Sequence, residues 1–138
     1  LEKSYRLIGT ELSIEYAALE SGLDRFVHAD KGEFIGRDAL LAWQREGFAN
    51  RFVTLEVHDT ADSDAIGSEP LYLDGELVGR VTGGGWGFRL GRSLALAYVL
   101  PELATPGATL EVDILGTMHG ATVIGDSPYD PENARLRS

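Results

Sequence analysis

Residues 80–100 constrain the fold most: Arg-Val-Thr-Gly-Gly-Gly-Trp-Gly-Phe-Arg-Leu-Gly-Arg-Ser-Leu-Ala-Leu-Ala-Tyr-Val-Leu. Apolar, strand-like runs flank the glycines 83, 84, 85, 87 and 91. Glycine lets a backbone bend where a side chain would clash. The stretch is therefore expected to be a glycine-rich connection between two strands of one sheet system. Trp86 and Phe88 fall inside it, although aromatic rings are costly to leave in water. A dinucleotide fingerprint needs a strand, then G-x-G-x-x-G, then a helix. Here the third spacing fails and a strand follows, so bulges and tight turns between strands are the expectation.

The rest of the chain, taken in order, predicts little helix. Ser13 to Leu19 is a candidate short helix, with Ser13 as its cap and Gly22 after its end. Leu23 to Ala29 predicts a strand and Asp30-Lys31-Gly32 a turn. Arg37 to Glu46 predicts a better helix: Ala39, Leu40 and Trp43 form one apolar stripe, and Asp38 suits the positive end of the helix dipole. Arg51 to His58 alternates, with Val53, Leu55 and Val57 on one face and Thr54 and Glu56 on the other. Residues 59–68 predict a mobile loop. Asp74-Gly75 between two apolar runs predicts a type I′ hairpin. Thr109 to Leu115 alternates, Gly116 to Gly120 predicts a turn, and Ala121 to Ile124 a returning strand. The chain is thus expected to be mainly β, with a short α/β N-terminal segment and a C-terminal antiparallel, Greek-key-like β-barrel.

Charge and composition narrow the function. The chain holds 22 acidic and 12 basic residues, a formal net charge of −10. Phosphate binding along a nucleic acid needs clustered Lys and Arg, so no nucleic-acid partner is expected. No apolar run reaches about 18 residues, so no membrane-spanning helix is expected. Cysteine is absent, which removes disulfides and thiolate chemistry and fits the cytoplasm. His28, His58 and His119 show no ligand spacing, so no metal is assigned. No serine lies in G-x-S-x-G, and no pair of carboxylates can be matched for acid–base work, so no catalytic residue is assigned. The tail carries Arg135 and Arg137, whose planar forks suit carboxylates; two arginines in a frayed terminus are the plainer reading.

Four blocks in order resemble one family. Leu1-Glu2-Lys3-Ser4-Tyr5-Arg6 with Gly9 is similar to a segment of the glycine cleavage T-protein (aminomethyltransferase) family. Ala18-Leu19-Glu20-Ser21-Gly22-Leu23 and Lys31-Gly32-Glu33-Phe34-Ile35-Gly36-Arg37-Asp38-Ala39-Leu40 resemble its next two blocks. Leu77-Val78-Gly79-Arg80-Val81-Thr82-Gly83-Gly84, with Ser93 to Val99, resembles its C-terminal signature. Glu15 to Ala17, Arg25-Phe26-Val27 and the Gly-Gly-Trp-Gly run look most like the folate-binding half of dimethylglycine and sarcosine dehydrogenases.

The resemblance implies the C-terminal part of a tetrahydrofolate-dependent unit that captures a one-carbon group. Residues 1–46 would complete the folate-binding body and residues 47–138 would form the barrel. Upstream domains of the same polypeptide, or a partner subunit, would supply the rest; FAD would belong to an N-terminal half. The family's catalytic aspartate would lie outside these residues. Tyr5 and Ile8 match positions that line the pterin pocket; Ile8 stands where an aromatic is common. Arg25 stands where true T-proteins carry a tryptophan, and a guanidinium also stacks. Arg135 or Arg137 would meet the glutamate tail. Structural roles compete with each: core for Tyr5 and Ile8, a surface ion pair for Arg25. The alternative for the whole chain is a non-catalytic β-barrel module that packs on and orders a partner domain.

If residues 1–46 are part of a larger folate-binding body, an apolar face is left without its neighbour and the chain is expected to self-associate. Light scattering over a concentration series checks this; a clean monomer at high concentration counts against it.

Overall fold

A computed structural model describes residues 1–60 and 62–138. Six strands close into one antiparallel barrel: β1 (Arg51–Val57), β2 (Pro70–Leu73), β3 (Glu76–Gly87), β4 (Arg92–Val99), β5 (Thr109–Ile114) and β6 (Thr117–Ile124). Their order around the barrel is β1-β4-β3-β2-β5-β6, and β6 pairs back onto β1. The three hairpin-linked strands β2, β3 and β4 are thus flanked by β1 beside β4 and β5 beside β2. Both flanking strands arrive by long connections, which gives the expected Greek-key order. Thr54–Val57 of β1 pair with Ala121–Ile124 of β6 and close the ring.

Sequence period explains which side of each strand faces inward. In β5, Leu110, Val112 and Ile114 are buried and Thr109 and Glu111 are exposed. Val53, Leu55 and Val57 of β1 join them inside, with Leu71, Val81, Ala95, Ala97, Val99, Ala121 and Val123. Two hairpins turn on two residues with positive φ, at Asp74 (51°) and Gly75 (82°) and at Leu115 (52°) and Gly116 (85°). The first is the expected type I′ turn. The second is tighter than the expected turn over 116–120, and β6 already begins at Thr117.

Three expectations are corrected. The glycine-rich run is not a connection but the second half of β3, and the chain reverses only at Phe88 to Gly91. A register shift between Val81 and Gly83 bulges Thr82 out of the β3–β4 ladder, and its hydroxyl donates to the Leu96 carbonyl at 3.1 Å. Past the bulge the strand bends so closely that a Cβ on Gly84 would collide with the Ala65 carbonyl oxygen and lie 3.0 Å from that of Leu94. Glycine is required there for close approach, not for a turn. Second, residues 23–29 form no strand; Asp24–Phe26 is one 3-10 turn. Third, residues 13–19 form turns, not a helix. The Ala17 N–H, which a helix capped by Ser13 would return to the Ser13 carbonyl, goes instead to the Glu20 carboxylate.

The helix α1 occupies Arg37–Glu46 as its stripe predicts, and the Gly47 N–H closes it on the Trp43 carbonyl. None of its residues is fully buried. The expected loop 59–68 contains residue 61, which lies outside the described residues. Ala65 on that link is fully buried against the barrel.

Gly84→Ala is expected to destabilise the barrel by about 2 kcal/mol, the usual cost of overpacking a tight site. Gly125→Ala, which meets no atom within 4 Å, should fall within about 0.5 kcal/mol of the parent. Urea denaturation of the pair checks the contrast.

Candidate functional site

The N-terminal 22 residues lie across the outer face of β1 and β4. That face is apolar where a solvated barrel would be polar. Phe52, Leu96 and Tyr98 point outward yet are 6%, 4% and 2% exposed, with Tyr16 packed against them. Tyr16 stacks on Tyr98 at 3.7 Å between ring centres and 12° between planes. Phe52 meets the edge of the same tyrosine at 6.0 Å. On the other side of Phe52, the Arg6 guanidinium sits 4.0 Å over the ring.

Polar contacts fix the segment in register. The Tyr98 hydroxyl donates to the Glu11 carbonyl at 2.8 Å, and Ser21 Oγ lies 2.6 Å from the same hydroxyl. Ser4 Oγ is 2.6 Å from Thr54 Oγ1, which buries a threonine that alternation alone would place in water. Arg6 ties three pieces together: it donates to the Ser4 and Ser21 carbonyls and pairs with Asp126 at 2.7 Å. The tail comes back to the same place. Lys3 donates to the Asp130 carbonyl and to Asn133 Oδ1, and the Tyr129 N–H donates to the Glu2 carbonyl.

Two carboxylates are enclosed at this junction. Glu11 is 1% exposed and Glu20 9%. Glu11 accepts from the Leu7 N–H and the Thr10 hydroxyl, both at 2.8 Å. Burial alone would push its carboxyl up, but the Thr82 side chain beside it and these donors together outweigh burial and hold it below the usual carboxylate range. Tyr98 moves the other way. Burial first, then the negative potential of Tyr16, Glu11 and Glu20, pushes it up to about 12 against the pull of Ser21. It therefore stays a protonated donor.

The five candidate residues are all at the surface. Tyr5 is 63% and Ile8 91% exposed, so neither is core. Arg25 lies on the 3-10 turn with its guanidinium 4.6 Å over the Phe26 ring; the ion pair of that turn is Asp24 with Arg51. Arg135 and Arg137 are exposed, and Arg135 lies 5.8 Å over Tyr129. The structure brings the tail beside residues 2–4, and so near Tyr5 in the chain. Arg6 brings the Ser21 turn to that same segment. No hydrogen bond or ring contact joins any two of the five among the described residues. Sequence reasoning missed Arg6, Glu11, Ser21 and Tyr98. Only the apolar run of β4 hinted at them, because a strand buried on both faces reads as continuously apolar.

Comparison with known proteins places this arrangement. The sequence profile of the glycine cleavage T-protein C-terminal barrel domain matches residues 50–130. Mitochondrial dimethylglycine dehydrogenase of Mus musculus is 38% identical over 138 residues, which is 99% of this chain and 16% of that protein. The Homo sapiens enzyme is 37% identical over the same share. An aminomethyltransferase of Synechocystis is 38% identical over 133 residues, 96% of this chain and 35% of its own length. The chain therefore spans between 16% and 35% of the length of these relatives. The crystal structure of glycine cleavage system aminomethyltransferase T from Bartonella henselae superposes with a TM-score of 0.85 over 94% of this chain and 37% of that one. At 20% identity that likeness is one of fold.

The depressed Glu11 carboxyl links stability to pH. A carboxyl whose folded value lies below its unfolded value adds stability above the unfolded value and loses it as pH falls through the folded one. The wild-type chain is thus expected to weaken from about pH 4.5 downward, and Glu11→Gln to show a flatter acid limb with lower stability at neutral pH. Urea midpoints measured between neutral and acid pH check both.

Proposed function

From a chain that belongs to the glycine cleavage T-protein C-terminal barrel domain family, we propose the C-terminal part of a tetrahydrofolate-dependent aminomethyltransferase-type unit, of the sort joined to an N-methyl-amine dehydrogenase. The observation that carries this reading is the reach of the similarity. The barrel profile spans residues 50–130, whereas the likeness to dimethylglycine dehydrogenase spans 99% of the chain and so takes in the segment that lies on the barrel. In this reading residues 1–46 belong to the folate-binding body and residues 47–138 to the barrel.

The surface chemistry fits a reduced folate. Tyr5 and Ile8 offer an exposed ring and an exposed aliphatic wall for the pterin. Arg25 adds a planar cation that stacks, and Arg135 and Arg137 add forks for the glutamate carboxylates. When bound, the folate would accept the one-carbon unit. The chain's own part is to hold and orient it. Amine oxidation and its flavin are assigned to an N-terminal half of such a unit, as is the catalytic acid to the upstream body.

Calorimetric titration with 5-formyltetrahydrofolate tests the assignment. Saturable binding is expected, weakened roughly tenfold in Arg25→Ala, equivalent to about 1.4 kcal/mol. No saturable heat from a chain whose barrel is folded by circular dichroism would overturn it and leave the non-catalytic packing module in its place.

A further inference from the structure

The five folate candidates sit on three separate stretches of chain: residues 5–8, the 3-10 turn at Asp24–Phe26 and the tail beyond Ile124. One side chain that is not itself a candidate, Arg6, joins all three. Its side chain is only 14% exposed, and every guanidinium nitrogen is engaged. Nε donates to the Ser21 carbonyl at 2.9 Å, Nη1 to the Ser4 carbonyl at 2.9 Å and Nη2 to Asp126 Oδ2 at 2.7 Å. The flat face lies 4.0 Å over the Phe52 ring of β1. Gly22 closes on the same group: a Cβ there would lie 2.7 Å from Arg6 Nη2.

Each contact falls at the root of one stretch. The bond to Ser4 brackets Tyr5, whose ring is left outward and 63% exposed. Ser21 and Gly22 lead into the turn that carries Arg25. Asp126 follows β6 and opens the tail that carries Arg135 and Arg137. The turn is also tied to β1 through Asp24 and Arg51, so it stays on the barrel without Arg6. What only Arg6 supplies is a common reference for turn, tail and Tyr5. A lysine cannot replace it, because its donors share one nitrogen while arginine presents three in a fixed plane.

We propose that Arg6 is a positioning residue for the folate site. Its fork sets Tyr5, Arg25 and the tail arginines in place relative to one another, and it acts through them rather than on the ligand. The inference rests on the folate reading above.

The test compares 5-formyltetrahydrofolate with 5-formyltetrahydropteroate, which lacks only the glutamate, by calorimetric titration of the parent chain, Arg6→Lys and Asp126→Ala. Loosening of the fold lowers the fraction of competent chains and weakens both ligands by the same factor. Misplacement of the tail changes the ratio between them. The parent is expected to prefer the glutamate form about fivefold, the upper end for an exposed charge pair. In Asp126→Ala, which frees the tail and leaves the Arg6 bonds to Ser4 and Ser21, the preference should vanish while the pteroate affinity is unchanged. In Arg6→Lys both ligands should weaken and the preference should vanish as well. A preference kept at its parental value in either variant, or a parent that binds both ligands equally, would overturn the role of Arg6 and leave the folate reading standing. No saturable binding of either ligand by the parent would overturn the folate reading and this role with it.

Discussion

One outward-facing side chain, Tyr98, anchors the N-terminal segment at Glu11, Tyr16 and Ser21. A barrel strand ordinarily turns polar residues outward, but β4 is buried at seven of its eight residues. Tyr98 supplies a ring for Tyr16 and a hydroxyl for the Glu11 carbonyl, and the ring and hydroxyl serve different parts of the covering chain. An aromatic pair contributes about 1 kcal/mol beyond its buried area. Leaving the buried partners of its hydroxyl unsatisfied would cost about 1–3 kcal/mol. Neither figure is large against the roughly 1–2 kcal/mol per residue needed to order a backbone. A segment of turns is therefore held by many such points at once: Ser4 on Thr54, Arg6 over Phe52, Glu20 under Asn50.

What the sequence made legible was local. The helix over Arg37–Glu46 follows from its own stripe and its closing glycine, and the Asp74-Gly75 hairpin from two residues with positive φ. Strand identity in β1 and β5 follows from alternation. What stayed hidden needed a distant partner. Residues 13–19 have the composition of a short helix, yet Glu20 captures the Ala17 N–H and Tyr98 captures Tyr16. Residues 23–29 have the composition of a strand, but the six barrel strands pair with one another and none pairs with these residues. The glycines of β3 suggested flexibility; at Gly84 the reason is the Ala65 carbonyl packed against it.

The same division holds for the site. Tyr5, Ile8, Arg25, Arg135 and Arg137 came from resemblance, residue by residue, and all five are exposed. Glu11 and Glu20 looked like any of the carboxylates in the first segment. Nothing in the neighbouring residues separates buried Glu11 from exposed Glu15, because burial here is decided by Thr82 and Tyr98, more than sixty positions away.

A chain with net charge −10 can hold an anionic ligand only where its positive charge is not already spent. Arg6, Arg51 and Arg92 are spent, on Asp126, Asp24 and Glu56. Arg25 and Arg135 are in a different condition. Each lies over an aromatic ring and makes no side-chain hydrogen bond among the described residues. Stacking fixes a guanidinium by its face and leaves the N–H fork at its edge free for a carboxylate. Two acids of the N-terminal segment are meanwhile withdrawn from the surface: Glu11 into the Tyr98 junction and Glu20 onto the Ala17 and Asn50 N–H groups. Folding thus sorts charge that the sequence intermixes, leaving free cationic forks on Arg25 and Arg135 and enclosed negative charge beside Tyr16 and Trp43. In the proposed folate site Arg25 would turn its remaining face to the pterin, and Arg135 would offer its fork to the glutamate tail.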